Sequence, residues 1–277
     1  MKKQNLFFSL MLFLIFVIPV YTASGASESE NILDISAMLT NLNYREIQSG
    51  MVIDSEKGTI PGIELSFSHQ PSSSILFLRG ITNLSYGSLD YNGGTWGGTA
   101  LAFSHNSTLF NLEGDIGLCI GSKKILILYS GVGHTFWNRG MSNSTPGDYD
   151  EHYSLYYLPV GVILNIKQDG DLSFSIDASL RYMFSGTVTA FFSGINPGFN
   201  DVALNLGSAV GGNIKANIIY TISKDYSLLI TPWYENSSNG QSNVGTLTFN
   251  GVPSTGVQEP NSTTNKYGIN VGIRLDL

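Results

Sequence analysis

Between residues 171 and 184 apolar and polar side chains alternate almost one for one. Leu172, Phe174, Ile176, Ala178, Leu180, Tyr182 and Phe184 fall on one parity, opposite Asp171, Ser173, Ser175, Asp177, Ser179 and Arg181, with Met183 the exception. Successive side chains of an extended chain leave opposite faces, so the segment is a strand with one apolar and one polar face. The pattern returns in 208–222, where Val210, Ile214, Ala216, Ile218, Tyr220 and Ile222 oppose Asn213, Lys215, Asn217 and Thr221. It returns again in 266–277. After the N-terminal stretch no run approaches the ~20 apolar residues of a membrane helix, and none shows helical periodicity. The chain is all-β, built on sheets with unlike faces.

Ten such strands are predicted, at about 35–49, 61–70, 74–91, 108–120, 124–139, 153–168, 171–192, 208–223, 226–236 and 266–277. Their connections alternate in length. Tight turns follow the even strands, as at Gln70-Pro71-Ser72-Ser73, Gly121-Ser122-Lys123-Lys124, Asp169-Gly170 and Ser223-Lys224-Asp225. Longer loops, about 50–60, 92–107, 140–152, 193–207 and 237–265, follow the odd ones. An even set of strands with short turns at one end and long loops at the other predicts a ten-stranded antiparallel up-and-down transmembrane β-barrel. Short turns would then be periplasmic and long loops extracellular. The first, second and fifth strands have mixed faces.

Alternation alone does not say which face is inside. A soluble sandwich packs its apolar face against a second sheet, and a membrane barrel turns it out to lipid. The strands before long loops are far longer than the five or six residues common in soluble sheets. Only 13% of the 277 residues are charged, whereas glycine (31), tyrosine (14) and phenylalanine (15) are abundant. Tyr44, Tyr86, Tyr156, Tyr182, Phe184, Tyr220, Tyr226, Tyr234 and Tyr267 lie near strand ends on the apolar parity, where an interfacial girdle belongs. These features favour the barrel.

The N-terminal residues read as an export signal. Lys2 and Lys3 precede the apolar run Leu6 to Val20, and Ala23-Ser24-Gly25-Ala26 offers a cleavage point, giving a signal peptide over 1–26 and a barrel domain over 27–277. A retained anchor is the alternative, disfavoured by Pro19 and the polar residues that follow. The formal charge of −7 excludes the basic face of a nucleic-acid binder. A lone Cys119 excludes a disulfide framework and multi-cysteine metal sites.

The sequence resembles the small outer-membrane β-barrel (porin-like) proteins of Gram-negative bacteria, from leader to C-terminus. The last strand carries the most specific likeness: Tyr267, Ile269, Val271, Ile273, Leu275 and Leu277 alternate to the final position, like the C-terminal signal read by the barrel-assembly machinery. The usual terminal residue of that signal is aromatic, and here it is leucine. The segments Gly131–Arg139 and Tyr153–Gly161 are similar to barrels of the Protochlamydia outer membrane protein type. The resemblance implies export through the Sec pathway, outer-membrane lipids and periplasmic chaperones as partners, and no cofactor.

Turned inward, the polar face would carry Arg45, Glu64, Arg79, Glu113, Asp115, Asp177, Arg181, Lys215, Glu235, Lys266 and Arg274. Charges in a narrow interior must pair. Ten strands stand near the filled end of the size range, so these residues form either a packed ionic network or a narrow gated path. Asp148, Asp150 and Glu151, with His152, are candidate ligands for a cation such as Ca²⁺ or a water-activating pair, and equally a solvated acidic loop. The omptin proteases are ten-stranded too, but a matching second Asp-Asp pair is absent here. His134, Trp137 and Arg139 form a rim cluster able to meet a lipid phosphate or a sugar. The 237–265 loop, rich in Ser, Asn, Gly and Thr, reads as mobile. A structural or passively transporting barrel is the leading reading, a loop-mediated binding protein the second, and an enzyme the third.

Overall fold

The computed structural model describes residues 29–71, 74–94, 98–121, 125–140 and 149–277; the segment read as a leader lies outside them. Seven long strands come first: β1 (Ser29–Gln48), β2 (Met51–Pro71), β3 (Leu76–Gly94), β4 (Ala100–Ile120), β5 (Leu126–Gly140), β6 (Glu151–Asp169) and β7 (Leu172–Ala190). A 3-10 turn, Phe192–Gly194, leads to β8 (Val202–Asn205), β9 (Gly207–Thr221) and β10 (Tyr226–Gly240). The hairpin β11 (Gly245–Phe249) and β12 (Val252–Val257) precedes β13 (Asn261–Asp276). Each strand is antiparallel to its neighbours, β1 pairs with β13, and β6 pairs with β7, which closes the sheet. Strands β8 and β9 face β7 in one continuous register interrupted at Leu206, so together they make one stave. The result is a ten-stave barrel, as the alternation predicts, with both ends of the described chain on the short-turn side.

Three of the long loops differ from expectation. Most of the 92–107 loop is strand, in β3 to Gly94 and in β4 from Ala100. The 50–60 loop is strand: β1 and β2 meet through Ser49 and Gly50, whose φ angles of 53° and 80° are those of a tight hairpin. The 237–265 loop is largely hairpin, turning at Asn250 and Gly251 (φ 48° and 80°) and burying Leu247. An Asn-Gly pair between apolar residues is a strong hairpin signal that outweighs the polar composition.

The barrel is inside-out over its short-turn half and not over its long-loop half. In the lower staves Ile35, Leu39, Ile63, Leu84 and Ile116 are exposed outside, while Ser36, Thr40, Ser85, Glu113 and Asp115 are buried within. That is the lipid-facing arrangement, and it excludes the sandwich. Higher up, the same parity still faces inward but the chemistry of the two faces reverses. Leu42, Tyr44, Ile60 and Leu89 are completely buried, whereas Arg45, Lys57 and Asp90 are exposed. There the wall stands in water and follows the ordinary rule of an apolar interior. The reversal corrects two expectations: Tyr44 lies inside rather than in the girdle, and Arg45 lies outside rather than in the lumen. The other girdle residues, Tyr86, Tyr156, Tyr182, Phe184, Tyr220, Tyr226, Tyr234 and Tyr267, are exposed on the outer wall.

Candidate functional site

The lumen is filled in two layers. In the lower one, cross-strand register places Arg79 opposite Asp115, and Asp177 opposite Lys215. Arg79 donates Nε–H to Asp115 (2.9 Å) and Nη1–H to Asp177 (2.6 Å), with Tyr129 Oη–H on the second Asp177 oxygen (2.6 Å). A step higher, Arg181 bridges Glu113 (2.9 Å) and Glu235, and Lys266 reaches the other Glu235 oxygen. Lys215 and the Asn270 amide hold the two oxygens of Glu64, at 3.0 and 2.9 Å. Near the short-turn end Arg274 clasps Asp34 with two bonds of 2.8 Å. Bidentate and bridged charge pairs of this kind are the strong ones, and they satisfy charges that could not otherwise remain buried.

Two glycines position this layer. Gly133 and Gly161 lie directly opposite Tyr157 and Tyr129 on the neighbouring strands, and a Cβ at either would fall 2.1–2.3 Å from the tyrosine ring. The missing side chains let both rings lie flat across the sheet. Tyr157 then reaches Glu113 (2.7 Å), and the rings sit beneath Arg181 and Arg79, 4.9 and 4.6 Å from their guanidinium carbons. The Gly131-x-Gly133 pair is thus a packing feature.

The upper layer is built around Arg139, 1% exposed. Its Nε–H donates to Glu56 (2.7 Å), and Nη1 serves Glu151, Glu46 (3.4 Å) and Tyr153 (3.0 Å). Tyr44 and Trp137 pack on the guanidinium, 4.8 and 5.5 Å from its carbon. His105 Nε2 stands 3.1 Å from the free oxygen of Glu56. Glu259, between β12 and β13, accepts the hydroxyls of Tyr153 (2.6 Å) and Tyr44 (3.1 Å) and so ties the β11–β12 hairpin to the wall. Burial first, and the Glu151 carboxylate second, push its carboxyl up to about 7, while Arg139 and the two tyrosines favour the ionised form. Above the arginine an apolar cluster of Val188, Phe192, Val202, Leu204 and Leu247 closes the mouth.

Of the residues expected inward, all but Arg45 line this interior. Asp34, Glu46, Glu56, Arg139, Glu151 and Glu259 join them: Asp34 precedes the first expected strand, Glu46 lies where the apolar residues change sides, Arg139 was read as a rim residue, and Glu56, Glu151 and Glu259 lie in segments read as loops. Glu151 is drawn into the Arg139 cage rather than standing in an exposed acidic loop, and Asp148 lies outside the described residues. Among the described residues no group of three or more His, Cys, Asp or Glu is arranged to hold a metal ion. The rim cluster is divided by the sheet: Trp137 and Arg139 face in, while His134 stacks on Tyr156 (4.5 Å) on the outer wall. Hollows of about 50 Å³ beside Glu64, Arg181 and Lys215, and about 80 Å³ beside Trp137, Tyr157 and Met183, leave room for a few waters.

No family model matches this sequence, and no curated protein matches it. Solved structures do. The outer membrane protease OmpT from Escherichia coli superposes with a TM-score of 0.52 at 10% identity, over 90% of this chain and 97% of that one. The translocator domain of the autotransporter NalP from Neisseria meningitidis gives 0.40 at 8% identity (95% and 94%), and OprG from Pseudomonas aeruginosa gives 0.39 at 9% (91% and 98%). At such identity the OmpT likeness is one of fold: the chain has the fold of the small outer-membrane barrels.

Proposed function

We propose that this protein resides in the outer membrane of a Gram-negative bacterium, reached by Sec export, and acts at its extracellular end as a surface structural or binding protein. The observation that carries the reading is the sealed interior. Paired charges fill the lower lumen, and an apolar cluster with the β11–β12 hairpin fills the mouth. A passive channel would need a continuous wet path, which this packing opposes. The apolar outer belt and the girdle support membrane residence, and the outward column from Tyr267 to Leu277 supports recognition by the assembly machinery.

We read the chain as non-enzymatic. Sharing a fold with a protease does not carry its chemistry. His152, a candidate base, packs against Phe191 (4.5 Å) and Phe136 (5.6 Å), and Glu151 is neutralised by Arg139.

Two measurements test the proposal. Folded barrel should migrate faster than boiled protein in SDS gels and stay with membranes through carbonate washing; soluble extraction overturns membrane residence. In planar bilayers the purified protein should give no discrete conductance steps. Steady single-channel conductance would overturn the sealed-lumen reading and restore passive transport.

A further inference from the structure

Five carboxylates converge beneath the long-loop mouth, and two cations meet them. Glu46 comes from β1, Asp54 and Glu56 from β2, Glu151 from β6, and Glu259 from the link between β12 and β13; Arg139 comes from β5 and His105 from β4. The hydroxyls of Tyr44, Tyr91, Tyr149 and Tyr153 face the same acids. Arg139 reaches Glu46, Glu56 and Glu151, and His105 reaches Glu56. Asp54 Oδ1 is buried without a hydrogen bond, and among the described residues no cation stands within ion-pair distance of Glu259. Even with His105 charged, five ionised acids against two cations would leave three buried charges uncompensated. A buried space does not hold such an excess, so the cage keeps protons that rising pH removes.

One of the five acids is free to leave. Glu46, Asp54, Glu56 and Glu151 are fixed in the ladders of wall strands. Glu259 is not: its N–H donates to Ser242 Oγ (2.9 Å) and its carbonyl accepts the Ser242 N–H (3.0 Å), so it travels with the segment that carries the β11–β12 hairpin. Its carboxyl fastens that segment to the Tyr153 and Tyr44 hydroxyls of the wall. Burial, and then Glu151, push this carboxyl up to about 7. The far side of the hairpin is held differently. Thr248 N–H donates to Asn200 Oδ1 (2.6 Å), Asn243 N–H donates to the Asn205 carbonyl (3.1 Å), and Leu247 sits in one cluster with Val202 and Leu204. Those contacts carry no charge. The side toward Tyr44 and Tyr153 titrates, and the side toward β8 does not.

Under the hairpin lies the hollow of about 80 Å³ beside Trp137, Tyr153 and Tyr157, floored by Arg181, Glu235 and Lys266. The lower ionic layer closes it from below. Opened from above, it is a blind cup rather than a channel. We infer that the β11–β12 hairpin is a proton-latched lid, shut in acid while Glu259 is neutral, and released from Tyr44 and Tyr153 in alkali, when Glu46 and Glu151 repel the Glu259 carboxylate and the cup is bared. The hinge is the uncharged side at β8.

The test follows amide hydrogen exchange in the purified full barrel in neutral-detergent micelles at pH 5 and pH 8, with labelling times scaled to equal intrinsic exchange. Protection of β11 and β12 should fall about tenfold or more from pH 5 to pH 8, since each pKa unit between shut and open lid is a tenfold change. Protection of β5, β6 and β7 should not change. E259Q, neutral throughout, should keep its pH 5 protection at pH 8. At pH 8 a cysteine on the cup wall, A209C, should react with a neutral maleimide faster in the native background than in the E259Q background. All variants should retain the heat-dependent gel shift that reports a folded barrel. Should E259Q lose it, the native chain decides, and no fall in lid protection between pH 5 and pH 8 overturns the inference. A pH dependence that survives in E259Q, a fall spread evenly over the barrel, or equal labelling of A209C in the two backgrounds overturns it too. Bilayer recordings should stay silent at both pH values. Conductance steps at pH 8 would overturn the blind cup together with the sealed-lumen reading, whereas a lid that stays shut in a silent barrel refutes this inference alone.

Discussion

The two halves of the barrel are built from the same strands under opposite rules. Below, Arg79, Arg181, Lys215, Lys266 and Arg274 meet Asp34, Glu64, Glu113, Asp115, Asp177 and Glu235, nearly in balance, inside a wall whose apolar side faces out. Above, Leu42, Ile60, Leu89 and Leu247 form a core like that of a soluble protein, and one arginine serves Glu46, Glu56 and Glu151 with Glu259 nearby. The difference follows from what touches the outside. Lipid cannot hydrogen-bond, so polar groups at that depth must satisfy each other inward. Water rewards the reverse. Distributed pairing makes the lower layer redundant, while the upper one depends on a single cation.

That dependence can be broken most directly at Arg139. Arg139→Met strands the buried carboxylates of Glu46, Glu56 and Glu151 and should cost near the top of the ~3–5 kcal/mol typical of a severed buried pair. Arg181→Met should fall lower in that range, because Lys266 still holds Glu235 and Tyr157 still bonds Glu113. Lys224→Met, at an exposed turn, should change nothing measurable. Denaturant titration of the gel-shift midpoint ranks the three. Equal effects of Arg139→Met and Arg181→Met would mean that the two layers do not differ as described.

A smaller effect separates the lid from the wall. Leu247→Ala removes the hairpin's anchor from the apolar cluster and should cost about 2–3 kcal/mol of local stability. Hydrogen exchange should then speed up in β11 and β12 while the lower staves stay protected. Uniform loss of protection would show lid and barrel to be one cooperative unit.

The smallest effect concerns pH. Burial, and then the neighbouring Glu151 carboxylate, push the Glu259 carboxyl up to about 7, above the ordinary glutamate range. A raised carboxyl pKa gives stability that is complete below about 4.5 and fades as pH climbs through 7. Proteolysis of the 241–260 segment should therefore be slower at pH 5 than at pH 8. Glu259→Gln, which keeps an acceptor for the tyrosine hydroxyls without the charge, should flatten the difference. Faster cleavage at pH 5 in the native chain would reverse the assignment.

Period-two alternation by itself determined the ten staves, the loop asymmetry and the outward columns such as Leu172 to Phe184 and Tyr267 to Leu277, because lipid and lumen impose a strict two-face rule over the membrane's thickness. It determined most inward charges for the same reason. The strands with mixed faces, β1 and β2, were mixed because they leave the membrane: around residues 39–42 and 60–63 the apolar parity changes sides. Taking the apolar residues as the outward ones beyond that point places Tyr44 outside and Arg45 inside; the geometric parity instead continues unbroken from Ser36 and Thr40 to Tyr44, so Tyr44 faces in and Arg45 out. The Asn250-Gly251 pair is a hairpin signal present in the chain, and it prevails over the polar composition around it. Only the tertiary structure decided which acid meets which base, and that Arg139 gathers Glu46, Glu56 and Glu151 from three other strands. Those facts depend on register between strands distant in sequence, and alternation fixes a residue's face without fixing its height in the barrel.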